Sequence, residues 1–352
     1  MLPFIFSLPT DITMNPIPTD ISWKRRLITT SAWFALAILM PASLPLTLPL
    51  ALLWGLVARD HFSAARALIF LSYFFVLECT GLLFALVHWL RFHLLGLSPQ
   101  AYERANRRVQ RWWSRGLFWT ALKLFGARIS VKGLDHLDNP HPAVILCRHA
   151  STLDTMLPLG IASSPRIFAY VIKSELLADP ALDYVAQRIP NVFVNRGTNN
   201  PEAEVQKILA LARDHRDTFS LVLYPEGTRF SPAKRQRLLD KFAASPDKAD
   251  LLATARALTH TLPPLRDGAL KLVEHAADKD LVFIAHRGID RVGSMAELFT
   301  GALTHAHLEV NIWRIPAAQV PRDPELIAPF ILEHWQRIND FVAAAQTHPT
   351  TA

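Results

Sequence analysis

Ala143-Val144-Ile145-Leu146-Cys147, followed directly by Arg148-His149-Ala150-Ser151-Thr152-Leu153-Asp154-Thr155, is the stretch from which the architecture can be read. Its first five residues are an uninterrupted apolar run, the pattern of a buried strand. Leu153 to Ile161 reads as the start of a helix. His149 and Asp154 therefore fall at a strand-to-helix turn, where catalytic side chains are often presented. Ser151 and Asp154 also match a capping box, which offers a purely structural reason for the aspartate.

Outward from this turn the pattern alternates. Further strands are expected at Phe168 to Ile172, Val192 to Val194, Ser220 to Tyr224, Leu281 to Ala285 and Leu308 to Trp313. Helices are expected at Ala181 to Arg188, Pro201 to His215, Lys248 to Leu258, Asp267 to Ala276 and Pro324 to Ala345. Short apolar strands separated by helices predict an α/β fold with a largely parallel sheet flanked by helices. The charged segment from Lys234 to Asp247 reads as a mobile insertion, with Lys234, Arg235, Arg237 and Lys241 on a solvated face.

The N-terminal part has a different character. After Lys24-Arg25-Arg26, Leu27 to Val57 carries no charged residue, and Ala67 to Leu90 is broken only by Glu78 and His88. Each run exceeds the roughly 20 residues a spanning helix needs. Pro41, Pro45 and Pro49 open the possibility of a kinked span or a re-entrant hairpin. Basic residues flank both outer ends, which places both ends in the cytoplasm. The expectation is an N-terminal membrane-anchoring helical hairpin, with a pair of helices half-sunk in one leaflet as the alternative. Glu78 is expected to face a partner helix or the domain. Residues 100 to 124 read as a basic, tryptophan-bearing helix, equally suited to the headgroup layer and to packing on the domain. The expected division is a tail at 1–22, a membrane anchor at 23–95, a catalytic domain at 96–345 and a tail at 346–352.

Two downstream blocks add chemistry: Phe193-Val194-Asn195-Arg196-Gly197 and Tyr224-Pro225-Glu226-Gly227-Thr228-Arg229. With His149 and Asp154 ahead of them, in this order, the chain resembles the glycerolipid (lysophosphatidic acid) acyltransferase family over roughly residues 120 to 315. An imidazole titrates near neutrality and suits a general base, and Asp154 can fix its tautomer. The resemblance implies direct attack by the acceptor's hydroxyl on a thioester, with no protein nucleophile. It assigns the acceptor's phosphate to Arg196 and Arg229, whose guanidiniums match phosphate oxygens, and has Gly197 and Gly227 admit the backbone. Glu226 is expected to fix acceptor hydroxyls or to brace Arg229. Backbone N–H groups around Gly227 and Thr228 are candidate oxyanion donors. Cys147 is weighed as a nucleophile and set aside as inert core.

The chain departs from the family where Arg148 replaces a common asparagine, and where Leu281 to Arg287 lacks the usual proline. Arg266 and His286 are candidate headgroup contacts, with His286 more readily a surface residue. The two cysteines suggest neither a metal site nor a disulfide framework. No metal or redox cofactor is expected; acyl-CoA or acyl carrier protein would be co-substrate. Expected partners are membrane lipids and a lysophospholipid acceptor, not nucleic acid, in keeping with 51% hydrophobic residues and a net charge of +7. Composition suggests a bacterial inner membrane. The competing functions are a CoA-independent transacylase or hydrolase, although no Gly-x-Ser-x-Gly elbow is present, and a non-catalytic lipid-binding membrane protein.

Overall fold

The computed structural model describes residues 22–163, 168–195, 200–214, 219–264, 266–276 and 278–344. The tail through residue 21 and the helix ends expected at His215 and Ala345 lie outside these residues.

Ser22 caps the first helix, its hydroxyl accepting from Arg25 N at 3.2 Å. Helix α1 (Trp23–Ala58) then runs 36 residues without interruption, Pro41, Pro45 and Pro49 included. These prolines are four apart and share one stripe, so the carbonyls they leave unpaired also lie together. Left-handed Arg59, His61 and Phe62 reverse the chain into α2 (Ser63–Leu95). Trp33 meets Phe75 edge-on at 5.7 Å between the two helices. Both are long and apolar enough to cross a membrane. Helix α3 (Pro99–Phe125) folds back along α2. Phe92 stacks on Tyr102 at one end and Phe70 meets Phe125 at the other.

Polar contacts tie the hairpin to the rest of the chain. Arg25 and Arg26 clamp Asp183 at 3.1 and 2.9 Å. Ser63 Oγ lies 3.1 Å from Thr304 Oγ1, and Arg66 donates to Leu124 O. Buried Glu78 accepts from Trp113 Nε1 at 2.5 Å, so it faces α3. The start of α1 and the start of α2 therefore rest on one body. The outer face is left bare: Leu27, Ile38, Leu46 and Leu50 on α1 and Leu83, Leu86, Leu94 and Leu95 on α2 are half or more exposed. An apolar surface this extended marks a membrane or partner contact.

The remaining elements are β1 (Arg128–Lys132), α4 (Leu134–Asp138), β2 (Ala143–Cys147), α5 (Leu157–Ile161), β3 (Phe168–Lys173), α6 (Pro180–Tyr184), β4 (Val192–Val194), α7 (Pro201–Asp214), β5 (Ser220–Leu223), α8 (Pro232–Ala243), α9 (Ala249–Ala257), α10 (Lys271–His275), β6 (Asp280–Arg287), β7 (His307–Ile315) and α11 (Pro324–Ala343). The seven strands form one sheet in the order β1-β7-β6-β2-β5-β3-β4, parallel except for the antiparallel β6–β7 pair. The expected α/β class with a largely parallel sheet is the one observed.

Strand β2 is central and buried on both faces, as its unbroken apolar run requires. Ala143, Ile145 and Cys147 join a core with α2, α3 and α5, while Val144 and Leu146 join the opposite core with α7, α10 and α11. The edge strand β1 was not among the expected strands, because its polar-apolar alternation (RISVK) lacks an apolar run.

The expected helix at Leu153 to Ile161 begins as a 3-10 turn, Leu153–Met156, before α5. The segment read as a mobile insertion is instead helix α8. Ser231 caps it through Lys234 N and Pro232 opens it. Arg235 is not solvated: its guanidinium donates to Leu258 O, Ala255 O and Arg256 O at the end of α9. The basic helix at 100 to 124 packs on the domain. Arg111, Arg115 and Trp119 donate to carbonyls of Gly160, Ala162 and Ser163 at the end of α5.

Candidate active site

His149 leaves the C-terminal end of β2, the rim where parallel sheets commonly bind ligands. Its main chain is held from two sides. His149 N donates to Glu226 Oε1 at 2.8 Å, and His149 O accepts from Phe230 N at 2.7 Å. The imidazole is partly exposed and Nδ1 lies 2.9 Å from Asp154 Oδ1. A carboxylate only accepts, so Nδ1 carries the hydrogen and Nε2 is left as the basic nitrogen.

Asp154 is fully buried. Its Oδ2 accepts from Ala150 N at 2.6 Å and Ser151 N at 2.7 Å, with His286 Nε2 at 3.4 Å. Burial alone would raise its pKa. The charge and hydrogen bond of His149, with those of His286, outweigh burial and hold the carboxyl well below its usual range. The capping-box reading is met only in part: Asp154 accepts from Ser151 N, but the Ser151 hydroxyl accepts from Leu153 N. Tyr224 closes the pair, its ring 4.7 Å from that of His149 and its hydroxyl donating to Asp154 O at 3.0 Å.

Glu226 occupies a place other than the one expected. Both its oxygens are engaged by backbone, Oε1 by His149 N and Oε2 by Leu262 N at 2.9 Å. It braces His149 rather than Arg229. Leu262 is held in turn by α11, where Trp335 Nε1 donates to Leu262 O at 2.9 Å and Asn339 Oδ1 accepts from His260 N at 2.8 Å. Burial pushes the Glu226 carboxyl up to about 7, against the opposing charge of Arg148 and the two N–H bonds. At intermediate pH the folded protein then holds a proton that the unfolded chain has released. The stability this carboxyl contributes is full below its ordinary pKa and is lost as pH rises through about 7. Glu226→Gln turns an amide N–H2 against one of the two backbone donors, so it is expected to cost roughly 1–3 kcal/mol. It is also expected to flatten the pH dependence of stability between about pH 5 and 7. Thermal unfolding midpoints across pH check this, and parallel slopes for the two proteins would remove the assignment.

Arg148 and His286 are both buried, so His286 is not the surface residue expected. Arg148 donates to His286 O and His260 O, both at 2.9 Å, and pairs with Asp290. His286 Nε2 donates back to Arg148 O at 3.0 Å. His286 Nδ1 and Arg148 Nε have no partner among the described residues. The arginine thus threads beneath the His149–Asp154 turn and holds the loop after β6. Cys147 is also buried. Burial first, then the nearby Asp154 and Glu226, pushes its thiol up, the state of an inert core cysteine.

Arg229 is half-buried and donates to Thr152 Oγ1 at 2.6 Å and to Gly293 O. The turn preceding it closes through Gly227 N and Tyr224 O at 3.0 Å, with Pro225 second and Gly227 fourth at φ +70°. The Gly227 N–H is therefore spent inside the turn and is not an oxyanion donor. Thr228 is exposed, and its hydroxyl accepts from Lys234 Nζ at 3.0 Å. Lys234 also donates to Arg229 O at 3.0 Å, so this residue, expected on a solvated face, adds a second cation beside Arg229. Arg196 and Gly197 lie outside the described residues, as does the side chain of Arg266.

A family model described as Acyltransferase matches residues 128–292. The chain is similar to "Uncharacterized acyltransferase C428.14" of Schizosaccharomyces pombe, 21% identical over 54% of this chain and 56% of that one. It is similar to "Probable 1-acyl-sn-glycerol-3-phosphate acyltransferase 5" of Arabidopsis thaliana, 28% identical over 49% of this chain and 45% of that one. It is also similar to "1-acyl-sn-glycerol-3-phosphate acyltransferase gamma" of Mus musculus, 25% identical over 74% of this chain and 69% of that one. The chain spans about half the length of the first two of these relatives. Residues 128–292, which carry β2, the His149–Asp154 turn and the loop after β6 around one buried polar network, are the part of the chain that is similar to the acyltransferase family.

Proposed function

We propose that the protein moves a fatty acyl group from an acyl thioester, acyl-CoA or acyl carrier protein, to the free hydroxyl of a lysophospholipid such as lysophosphatidic acid. The observation that carries this reading is the 2.9 Å contact of His149 Nδ1 with a buried Asp154 whose second oxygen is held by two backbone N–H groups. His149 Nε2 takes the proton of the acceptor hydroxyl as its oxygen attacks the thioester carbonyl. The C–S bond breaks, and the imidazolium returns the proton to the leaving sulfur. Asp154 holds the tautomer and offsets the positive charge that forms. No cofactor is called for in this scheme, and no nucleophile beyond the acceptor. Supporting the phosphate role are Arg229 and Lys234, two cations around Thr228; Arg196 and Gly197 join them from the sequence pattern.

The bare apolar face of α1 and α2 supports a membrane location. Because the start of α1 and the start of α2, at opposite ends of the hairpin, both contact the domain, the hairpin fits a helix pair sunk along one leaflet better than one crossing it. The basic flanks support a cytoplasmic face for the domain, and composition suggests the inner membrane of a bacterium.

Washed membranes supplied with labelled acyl-CoA or acyl carrier protein and a panel of lysophospholipids test the reaction. Label on a diacyl product that requires His149 is expected; product forming without either donor would favour transacylation. Arg229→Ala is expected to raise the acceptor's KM at least tenfold and to leave the donor's within about twofold, in line with a lost charge-assisted phosphate contact. Equal effects on both substrates would remove the phosphate assignment.

A further inference from the structure

A second cationic site lies away from His149, where the end of α2 meets the start of α3. His88, Arg91, Arg104 and Arg108 line a cavity of about 270 Å³ whose apolar wall includes Ala101 and Ala105. Among the described residues, none of these arginines has an acidic partner, and the neighbouring Glu103 is taken by Arg107 at 2.9 Å. His88 Nδ1 is buried and has no partner among the described residues. Arg91, Arg104 and Arg108 are all exposed; three guanidiniums lining one cavity without a counter-charge repel one another, and an anion between them relieves that repulsion.

The frame is rigid. Phe92 stacks on Tyr102 at 4.6 Å, Asn106 donates back to Tyr102 O at 2.8 Å, and left-handed Gly96 makes the turn between the helices. The position is also informative. Leu83, Leu86, Leu90 and Leu94 form an exposed stripe along α2, and Arg91 stands next to it on the helix surface. Half-exposed Trp112, edge-on to Phe84 at 5.4 Å, sits on the same side, as tryptophan does at headgroup level.

We propose that this cavity binds the phosphoryl headgroup of an anionic membrane phospholipid whose acyl chains lie along the exposed stripe of α2. The assignment rests on the membrane-face reading of α1 and α2, but not on acyl transfer.

The test uses the purified full-length chain in detergent, titrated with phosphatidylglycerol, phosphatidylcholine or inorganic phosphate and read by native mass spectrometry. Wild type is expected to retain phosphatidylglycerol at least tenfold more tightly than phosphatidylcholine. Arg91→Gln/Arg104→Gln/Arg108→Gln is expected to lose that preference. Lys132→Gln/Arg237→Gln/Lys241→Gln, which removes three exposed cations elsewhere, is expected to keep it. The single variant Arg104→Gln, at an exposed position, is expected to lose part of it, and serves if the triple variant misfolds. No preference in wild type, an unchanged preference in the first triple variant, or equal loss in both triple variants would overturn the site. Inorganic phosphate binding as tightly as the lipid would overturn the lipid as occupant. Flotation of each protein with phosphatidylcholine vesicles reports membrane attachment separately, so loss of attachment is not mistaken for loss of the site.

Discussion

Replacing His149 with alanine is expected to lower kcat/KM for acyl transfer by about 10²–10⁴-fold, the range for removing a general base. The protein should still fold and attach to membranes, because the backbone contacts of His149 with Glu226 and Phe230 do not use the imidazole. Asp154→Asn should cost a comparable factor for a different reason. One carboxylate oxygen faces His149 Nδ1 and the other faces two backbone N–H groups. An amide cannot accept at both ends. Turned one way, its N–H2 meets Nδ1 and drives the ring hydrogen onto Nε2, the nitrogen required as base. Turned the other way, it opposes Ala150 N and Ser151 N. Initial-rate assays on membranes holding equal amounts of protein check both variants. Turnover within tenfold of wild type in His149→Ala would end the general-base assignment.

The second large effect is on stability. Arg148→Ala is expected to cost about 3–5 kcal/mol, because it deletes a fully buried guanidinium and leaves two carbonyls and half-buried Asp290 without their partner. The guanidinium serves three groups at once, His286 O, His260 O and Asp290, and its charge also opposes the burial penalty on Glu226. A domain of this size loses roughly 2–4 °C in Tm per kcal/mol, so a drop of about 10 °C is expected on thermal unfolding in detergent. Arg148→Lys should fall between the two, since an ammonium keeps the charge but not the fork that reaches separate acceptors. A Tm for Arg148→Ala within about 2 °C of wild type would mean that the network contributes little.

The regular elements were legible wherever their periodicity was strong. Strand β2 announces itself because a strand buried on both faces has to be apolar throughout. The His149–Asp154 spacing was equally readable, because both residues lie in one turn and need no distant partner to meet. Edge strand β1 was hidden by its alternation, and α8 by its charge. Neither local pattern reveals the stabilising contact, which for α8 is Arg235 on the carbonyls ending α9.

The surroundings of His149 could not be read in the same way. The partners of Arg148 lie 112 to 142 positions away, and those of Glu226 lie 77 positions before it and 36 after. An arginine, a histidine and a glutamate default to the surface when read one residue at a time, because burying them alone is costly. That cost is offset only where the sheet brings the ends of β2, β5 and β6 together and α11 presses the chain at Leu262 against them. Local sequence therefore brings His149 and Asp154 together, and the assembled sheet determines which charges are buried beneath them.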